Sequence, residues 1–475
     1  MMDIFLRIRS LWAEKRAVYT LYCLSLVLHL LVFGALLFSY GPHSFFLSTD
    51  GRVTDNDTQH YVTIAKNLAE GNGYSRFASP PFEPDALRTP LLPLYFLPFV
   101  AVGGLPLIWL AILLLNFVLA LAPVFLYKLS RFFVSHRMAM IAGTLLAVEP
   151  LFLYRSQIAE PDALLVFLLT CISFFLVRSW TKSSAMDFYI VAALSGISIL
   201  AKPSALYITA LVFIFHLLFV VFFRRGSWMK EARSAVLAAV IVAAILSPWL
   251  LRNHALFGTW TVSTVAGYNL YQYYTADLPL PDERIPEEIR AASREPSRHP
   301  AFQSYFTDVA LARIHAQPYA YAQGHAMGSL RNLFVSDLPA IYYYGHSAIL
   351  PFSYDPESKM NIHETLLRGD LPGAAHASLL AFPKIIWALV LVSLYMLAFW
   401  GWIIAWKRDR LSFLAFTLFF AMYAYLIVAS GLFVDAKYRL PALPLVTLVA
   451  LYGASSILRG VTHAPSAPSR QDATL

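Results

Sequence analysis

Charged residues are scarce in this chain. They make up 13% of its 475 residues, where a soluble protein of that size would carry roughly a quarter. That shortage, beside 58% hydrophobic residues, excludes an ordinary soluble globule. Many apolar runs approach or pass the roughly 20 residues that a bilayer-spanning helix needs. Cysteine is nearly missing too. Cys23 and Cys171 both sit inside apolar runs, which leaves no basis for a disulfide framework or a metal–thiolate site. His299, His315, His325, His346, His363 and His376 show no tight spacing such as His-Glu-x-x-His, so they read as ordinary polar residues and no metal ligand is assigned. No internal repeat is evident, and no cleavable signal. The first apolar run, 19–40, is long enough to span and follows Arg7, Arg9, Lys15 and Arg16. It reads as an uncleaved first helix.

What is present is a polytopic pattern. About ten spans are expected, at 19–40, 105–129, 137–154, 161–177, 188–201, 204–223, 234–251, 384–406, 412–432 and 441–458. A further apolar stretch, 90–103, holds Pro90, Pro93 and Pro98. It reads as re-entrant or as lying along the membrane, because a spanning helix tolerates three prolines poorly. The net charge is +8, and the cations sit in short gaps between spans. That is the orientation signal of membrane insertion rather than a nucleic-acid surface. Lys128, Arg131 and Arg137, then Arg178 and Lys182, then Arg224, Arg225, Lys230 and Arg233, then Lys407, Arg408 and Arg410 mark the cytoplasmic face. Both termini are then cytoplasmic.

The expected domains are a basic cytoplasmic N-terminus (1–18), an N-terminal transmembrane module (19–251) whose first outer loop is 41–104, a long outer segment (252–383), the C-terminal spans (384–458) and a cytoplasmic tail (459–475). The long segment should be partly ordered, with short helices around 303–335. Residues 463–475, rich in Pro, Ser and Ala, are expected to be disordered.

Candidate chemistry lies on the outer face. In the stretch from Asp55 to Ser75, Asp55 or Asp57 can cap a helix and Gly71 or Gly73 can end it. Tyr61, Ala65 and Leu68 share one face, with Asp57 a turn before Tyr61. The aspartates could equally be plain caps. Asn56-Asp57-Thr58 also matches the N-glycosylation pattern, which is short enough to recur by chance. Arg88-Thr89-Pro90 ends this loop, where an arginine can snorkel toward headgroups or bind a phosphate. Glu160 lies close to the hydrocarbon, where a carboxylate needs a partner; Glu160-Pro161 can also simply cap the next helix. Arg88, Lys202, Arg252 and Arg439 place four cations on the face where the inside-positive bias predicts few. Together they suggest an anionic ligand, and arginine's planar fork suits phosphate oxygens.

With these residues in view, the chain resembles the glycosyltransferase-C superfamily, in the branch of protein O-mannosyltransferases and the lipid A aminoarabinose transferase (glycosyltransferase family 39-like). The resemblance rests on Asp57-x-x-x-Tyr61 followed by Ala65, Asn67-Leu68 and Gly71-x-Gly73-Tyr74-Ser75. It continues through Arg88-Thr89-Pro90, Glu160-Pro161, Lys202-Pro203, Pro248-Trp249 with Arg252-Asn253 and Phe257-Gly258, and Tyr438-Arg439-Leu440-Pro441. It implies an all-α bundle of about ten helices with extracytoplasmic loops and amphipathic juxtamembrane helices. It also implies a polyprenyl-phosphate-linked sugar donor, a hexosyl or pentosyl group moved to a glycan, lipid or protein acceptor, and inversion at the anomeric carbon. Asp57 matches the catalytic acidic position, with Asp55 the runner-up and Glu160 the second acidic position. Lys202 and Arg439 match donor-phosphate contacts, with Arg88 and Arg252 beside them, and Tyr61 and Tyr438 are candidate acceptor or donor contacts. No cofactor is required, although Asp55, Asp57 and Glu160 could together bind a divalent ion. The chain lacks the large soluble C-terminal domain of some relatives, so acceptor recognition is expected mostly from 252–383. Membrane lipid is an expected partner, nucleic acid is not, and a bacterial inner membrane is the expected location. The rival reading is a transporter or lipid flippase, which would show paired halves and polar groups at the bilayer midplane.

Overall fold

Backbone groups in lipid must find their hydrogen bonds within the segment itself, and a long apolar run does so as a helix. The computed structural model describes residues 2–45, 57–224, 226, 228–278, 280, 283–335 and 371–461. Among these the only regular structure is helical. In chain order the helices are α1 (Met2–Tyr40), α2 (Asp57–Ala69), α3 (Leu91–Gly103), α4 (Ile108–Leu119), α5 (Ala122–Ser130), α6 (His136–Ala147), α7 (Pro150–Arg155), α8 (Asp162–Lys182), α9 (Ala185–Ala201), α10 (Ala205–Phe223), α11 (Trp228–Phe257), α12 (Val265–Asn269), α13 (Glu287–Ala292), α14 (Gln303–Ala316), α15 (Pro318–Phe334), α16 (Leu371–Arg408), α17 (Arg410–Ser430) and α18 (Leu443–Val461).

Among the described residues, seven segments are long and apolar enough to cross a membrane: Trp12–Tyr40, Leu105–Ser130, Asp162–Lys182, Ala205–Phe223, Trp228–Phe257, Ile385–Arg408 and Arg410–Ser430. The count of about ten is therefore not reached by length and composition. The helix expected over 137–154 is broken, because Glu149 leaves α6 and caps α7, accepting from the Phe152 N–H at 2.6 Å. Ala185–Ala201 and Leu443–Leu458 are apolar but shorter. The proline-bearing stretch 90–103 is the 13-residue helix α3, about 20 Å long and too short to span. Pro93 falls in its first turn, where the missing N–H has no helical partner to lose. Gly104 stops it at φ +69°, and its N–H caps the Val100 carbonyl. The tail 463–475 lies outside the described residues.

Helix α8 is the hub. Of its apolar window 78% is buried inside the protein, against 22% for Trp12–Tyr40. It packs on α5 and α9, while α9 packs on α11, α17 on α10, and α16 on α18. The α16–α18 crossing is set by two glycines. A Cβ on Gly453 would lie 2.2 Å from the Leu397 carbonyl oxygen, and one on Gly401 would lie 2.3 Å from that of Val449. Small residues let helix backbones approach closely in lipid. Gly453→Ala is expected to push the helices apart and cost about 1–3 kcal/mol, read as a lower midpoint of thermal inactivation in detergent. An unchanged midpoint would mean that the crossing is soft.

Successive spans run in opposite directions, so their ends sort to two sides. One side gathers the start of α2, the α7–α8 link, the α9–α10 link, the α17–α18 link and the end of α11. The other gathers the end of α8, the start of α9, the end of α10 and the start of α11. Helices α12 to α15 cover the first side.

Candidate active site

Asp57 opens α2. One carboxylate oxygen takes Arg88 Nη2 at 2.5 Å, and the other lies 3.8 Å from Lys437 Nζ. Arg88 comes from the loop before α3, and its Nε donates to His60 Nδ1 at 3.1 Å. That loop is pinned in place. Thr89 Oγ1 donates to the Ala201 carbonyl at 2.9 Å, Tyr74 Oη to the Arg88 carbonyl at 3.0 Å, and Ser263 Oγ to the Leu87 carbonyl at 2.6 Å. The Arg88 guanidinium stands 5.7 Å from the centre of the Tyr61 ring.

The other links enclose the same place. Thr58 Oγ1 donates to Glu160 Oε1 at 2.9 Å. Arg155, the last residue of α7, reaches Glu160 at 3.3 Å and Asp435 at 3.2 Å. Lys437 lies 3.8 Å from Asp435. Lys202 caps the end of α9 and meets Asp162 at 2.5 Å. The Tyr438 ring lies beneath both lysines, 5.5 Å from Lys202 Nζ and 5.8 Å from Lys437 Nζ. Four carboxylates therefore interlock with four cations.

Asp57 is the member that a ligand can reach. Its side chain is 44% accessible, and enough protein packs around it that burial opposes its charge, so it opens onto a partly enclosed recess. Burial pushes its carboxyl up, but Arg88, Lys437, His60 and Lys202 outweigh that and hold it below the usual carboxylate range. Glu160 differs. Burial raises its carboxyl, and the fields of Lys437 and Arg155 do not cancel the rise. Burial also disfavours the Lys437 charge, but Glu160, Asp162 and Asp57 more than restore it, so that ammonium is held firmly. The environments push two neighbouring carboxyls in opposite directions, a pattern that separates acid–base roles.

Of the residues singled out in the sequence, Asp57, Glu160, Lys202, Arg88, Tyr61 and Tyr438 lie in this cluster. Asp55 lies outside the described residues. Arg252 sits elsewhere: it donates to the Asp85 carbonyl at 2.6 Å and lies among Tyr74, Trp249 and Phe257. It braces the loop rather than reaching Asp57. Arg439 is 1% exposed and turns to the Asn332 carbonyl at 3.3 Å. Among the described residues it forms no ion pair, and its Nε has no partner. Arg88 and Lys202 are paired with carboxylates, which leaves Arg439 as a cation without an ion pair among the described residues. Among the described residues no group of three or more His, Cys, Asp or Glu side chains is placed to hold a metal ion, and the oxygens of Asp57 and Glu160 face cations and Thr58.

Sequence reasoning missed Lys437, Arg155, Asp162, Asp435, Thr58 and His60. Lys437 and Asp435 sit in the very segment that carries Tyr438 and Arg439. Arg155 had the same signal as Arg88, a cation on the face where few are expected. Asp162 directly follows Glu160-Pro161.

A helical membrane bundle with an acid–base recess at one end defines the class. Within it, residues 88–251 match the family model described as dolichyl-phosphate-mannose-protein mannosyltransferase. That stretch carries Arg88, Arg155, Glu160, Asp162 and Lys202. The glycosyltransferase-C resemblance is thus met by a family match over about a third of the chain. No curated protein matches the chain. Among solved structures, the oligosaccharyltransferase AglB from Archaeoglobus fulgidus, in complex with an inhibitory peptide and a dolichol-phosphate, is 13% identical with a TM-score of 0.48, covering 96% of this chain and 53% of that one. The chain thus spans about half the length of that protein. ArnT from Cupriavidus metallidurans, bound to undecaprenyl phosphate, is 13% identical with a TM-score of 0.40, covering 94% of this chain and 78% of that one.

Proposed function

We propose that this protein transfers a sugar from a polyprenyl-phosphate carrier to a hydroxyl acceptor, in the recess that Asp57 faces. The observation that carries the reading is Asp57 itself: a reachable carboxylate set among Arg88, Lys437 and Lys202. The family match across 88–251 supports it. The inside-positive pattern supports an orientation with this end outside the cytoplasm and both termini inside, and we place the protein in a bacterial inner membrane. The sugar is a hexosyl or pentosyl group, and the acceptor is a glycan, a lipid or a protein.

In this scheme the donor phosphate comes to the basic groups around Asp57. Because Arg88 and Lys437 now hold that carboxylate, the phosphate competes with Asp57 for them, and Asp57 gains basicity as they turn. The acceptor oxygen attacks the anomeric carbon, and the carbon–oxygen bond to the phosphate breaks. The bond pair leaves on the phosphate, where fixed cations stabilise the growing charge. The acceptor hydroxyl becomes a strong acid once its oxygen bonds to carbon, so even a weakly basic carboxylate takes its proton late in the step. One displacement inverts the anomeric carbon. Lys202 and Arg439 belong to phosphate binding, and Tyr61 and Tyr438 to the walls of the recess. The scheme requires no metal.

The direct test is a transfer assay with the purified protein and a panel of polyprenyl-phosphate sugars, read by product mass. No product with any donor would defeat the reading. A second test concerns Arg88. Removing it by Arg88→Gln takes away the first of the cations that depress Asp57, so that carboxyl rises. A rate that needs the carboxylate is full above its pKa and fades as pH falls through it. The acid limb of kcat/KM should therefore move to higher pH, toward or above the ordinary aspartate value of about 3.9. A limb that stays in place while the rate drops would remove Arg88 from the control of Asp57.

A further inference from the structure

The opposite end of the bundle carries a second built site. Helix α8 runs 21 residues from Asp162 to Lys182, so its far end lies about 30 Å from the Asp57 recess. There a cavity of about 390 Å³ opens between the ends of α8 and α10 and the starts of α9 and α11. Its floor is aromatic and its rim basic. Arg224, Lys230 and Arg233 line it. Glu231 is the carboxylate on the lining, and nearby Asp187 is taken by Arg178. Among the described residues Lys230 and Arg233 form no ion pair.

One buried group at the floor lacks a partner. His216 is 4% exposed and stacks on Phe188 with ring centres 3.6 Å apart. Its Nδ1 lies 3.3 Å from Trp180 Nε1. An indole N–H can only donate, so Nδ1 must accept and the ring proton sits on Nε2. That Nε2–H has no partner, and His216 lines the cavity. A buried donor of this kind calls for an acceptor oxygen. Arg224 at the same cavity is held by Ser183 and by the Trp180 carbonyl.

We infer that this cavity binds an anionic glycerophospholipid of the leaflet opposite the Asp57 recess. The phosphate meets the Arg224, Lys230 and Arg233 charges, and an ester carbonyl beneath it accepts from His216 Nε2. The acyl chains leave along the apolar flank that Leu237 and Phe219 provide. A lipid fits better than a free anion because the unmet donor lies deeper than the cations, in an aromatic floor that suits hydrocarbon and not a hydrated ion. The inference does not depend on the transfer reading.

Native mass spectrometry of the full-length protein, released from detergent with added lipid, tests it. The wild type should retain one phosphatidylglycerol with the highest affinity and hold phosphatidylcholine at least tenfold more weakly. Each cation near the headgroup is worth about 1 kcal/mol, so the Lys230→Ala/Arg233→Ala double variant, altered only at exposed positions, should bind about thirtyfold more weakly. His216→Phe, which keeps the aromatic packing, should show a loss of similar size. Equal retention of both lipids would overturn the inference, as would undiminished phosphatidylglycerol binding in the double variant. Displacement of the lipid by millimolar inorganic phosphate would show a free-anion site and overturn it too.

Discussion

Asp57→Asn should reduce sugar transfer by roughly two to four orders of magnitude, the usual weight of a positioned general base. The substitution keeps the size and one side-chain oxygen at the head of α2 but cannot accept a proton. Folding should hold, because the residue is the most accessible of the four carboxylates in the cluster. Removing its charge also frees Arg88 and Lys437, so binding of a polyprenyl phosphate should stay the same or tighten. The two readouts together are diagnostic: lost transfer with retained lipid binding places Asp57 in the proton transfer. Near-normal turnover would falsify the assignment. Lost binding as well as lost transfer would make the residue a structural part of the recess.

The largest effect on stability is expected at Arg155. It joins Glu160 to Asp435, and its side chain is 13% exposed. Arg155→Met fills similar space but leaves two carboxylates facing each other without their shared cation. Breaking a buried pair from one side costs about 3–5 kcal/mol. Because Glu160 already sits where burial favours its neutral form, the variant should take up a proton there, and its deficit should shrink as pH is lowered. The sign follows from Glu160: a raised carboxyl pKa penalises the native state most at high pH, where the group must be charged. Thermal inactivation midpoints at acidic and neutral pH measure this. Equal midpoints for wild type and variant at neutral pH would mean that the α7–α8 and α17–α18 links are held together by something else.

Much of this architecture could be read from the residues because it follows from solvation alone. The segment 412–432 carries no charge that would resist lipid, 105–129 carries only Lys128 near its end, and helices lie there. The break at Glu149 was less legible. A lone carboxylate in an apolar run reads as a tolerated exception until its bond to the Phe152 N–H is seen. Arg88, Glu160 and Lys202 stood out because charges are rare on that face, whereas Asp57, Tyr61 and Tyr438 came from the resemblance. The pairings were not legible. Which carboxylate takes Lys202 depends on how α8 and α9 pack, so Asp162 rather than Asp57 could not be foreseen. Arg252 misled for a related reason: its signal was the same as that of Arg88, but three aromatic rings around it absorb the cation.

The interlocked charges have a consequence for how a substrate arrives. Their fields cancel a short distance away, so little attraction extends into the surrounding water. Encounter then depends on lateral diffusion within the leaflet. Raising ionic strength, which weakens steering between separated charges, should leave the rate of donor capture almost untouched.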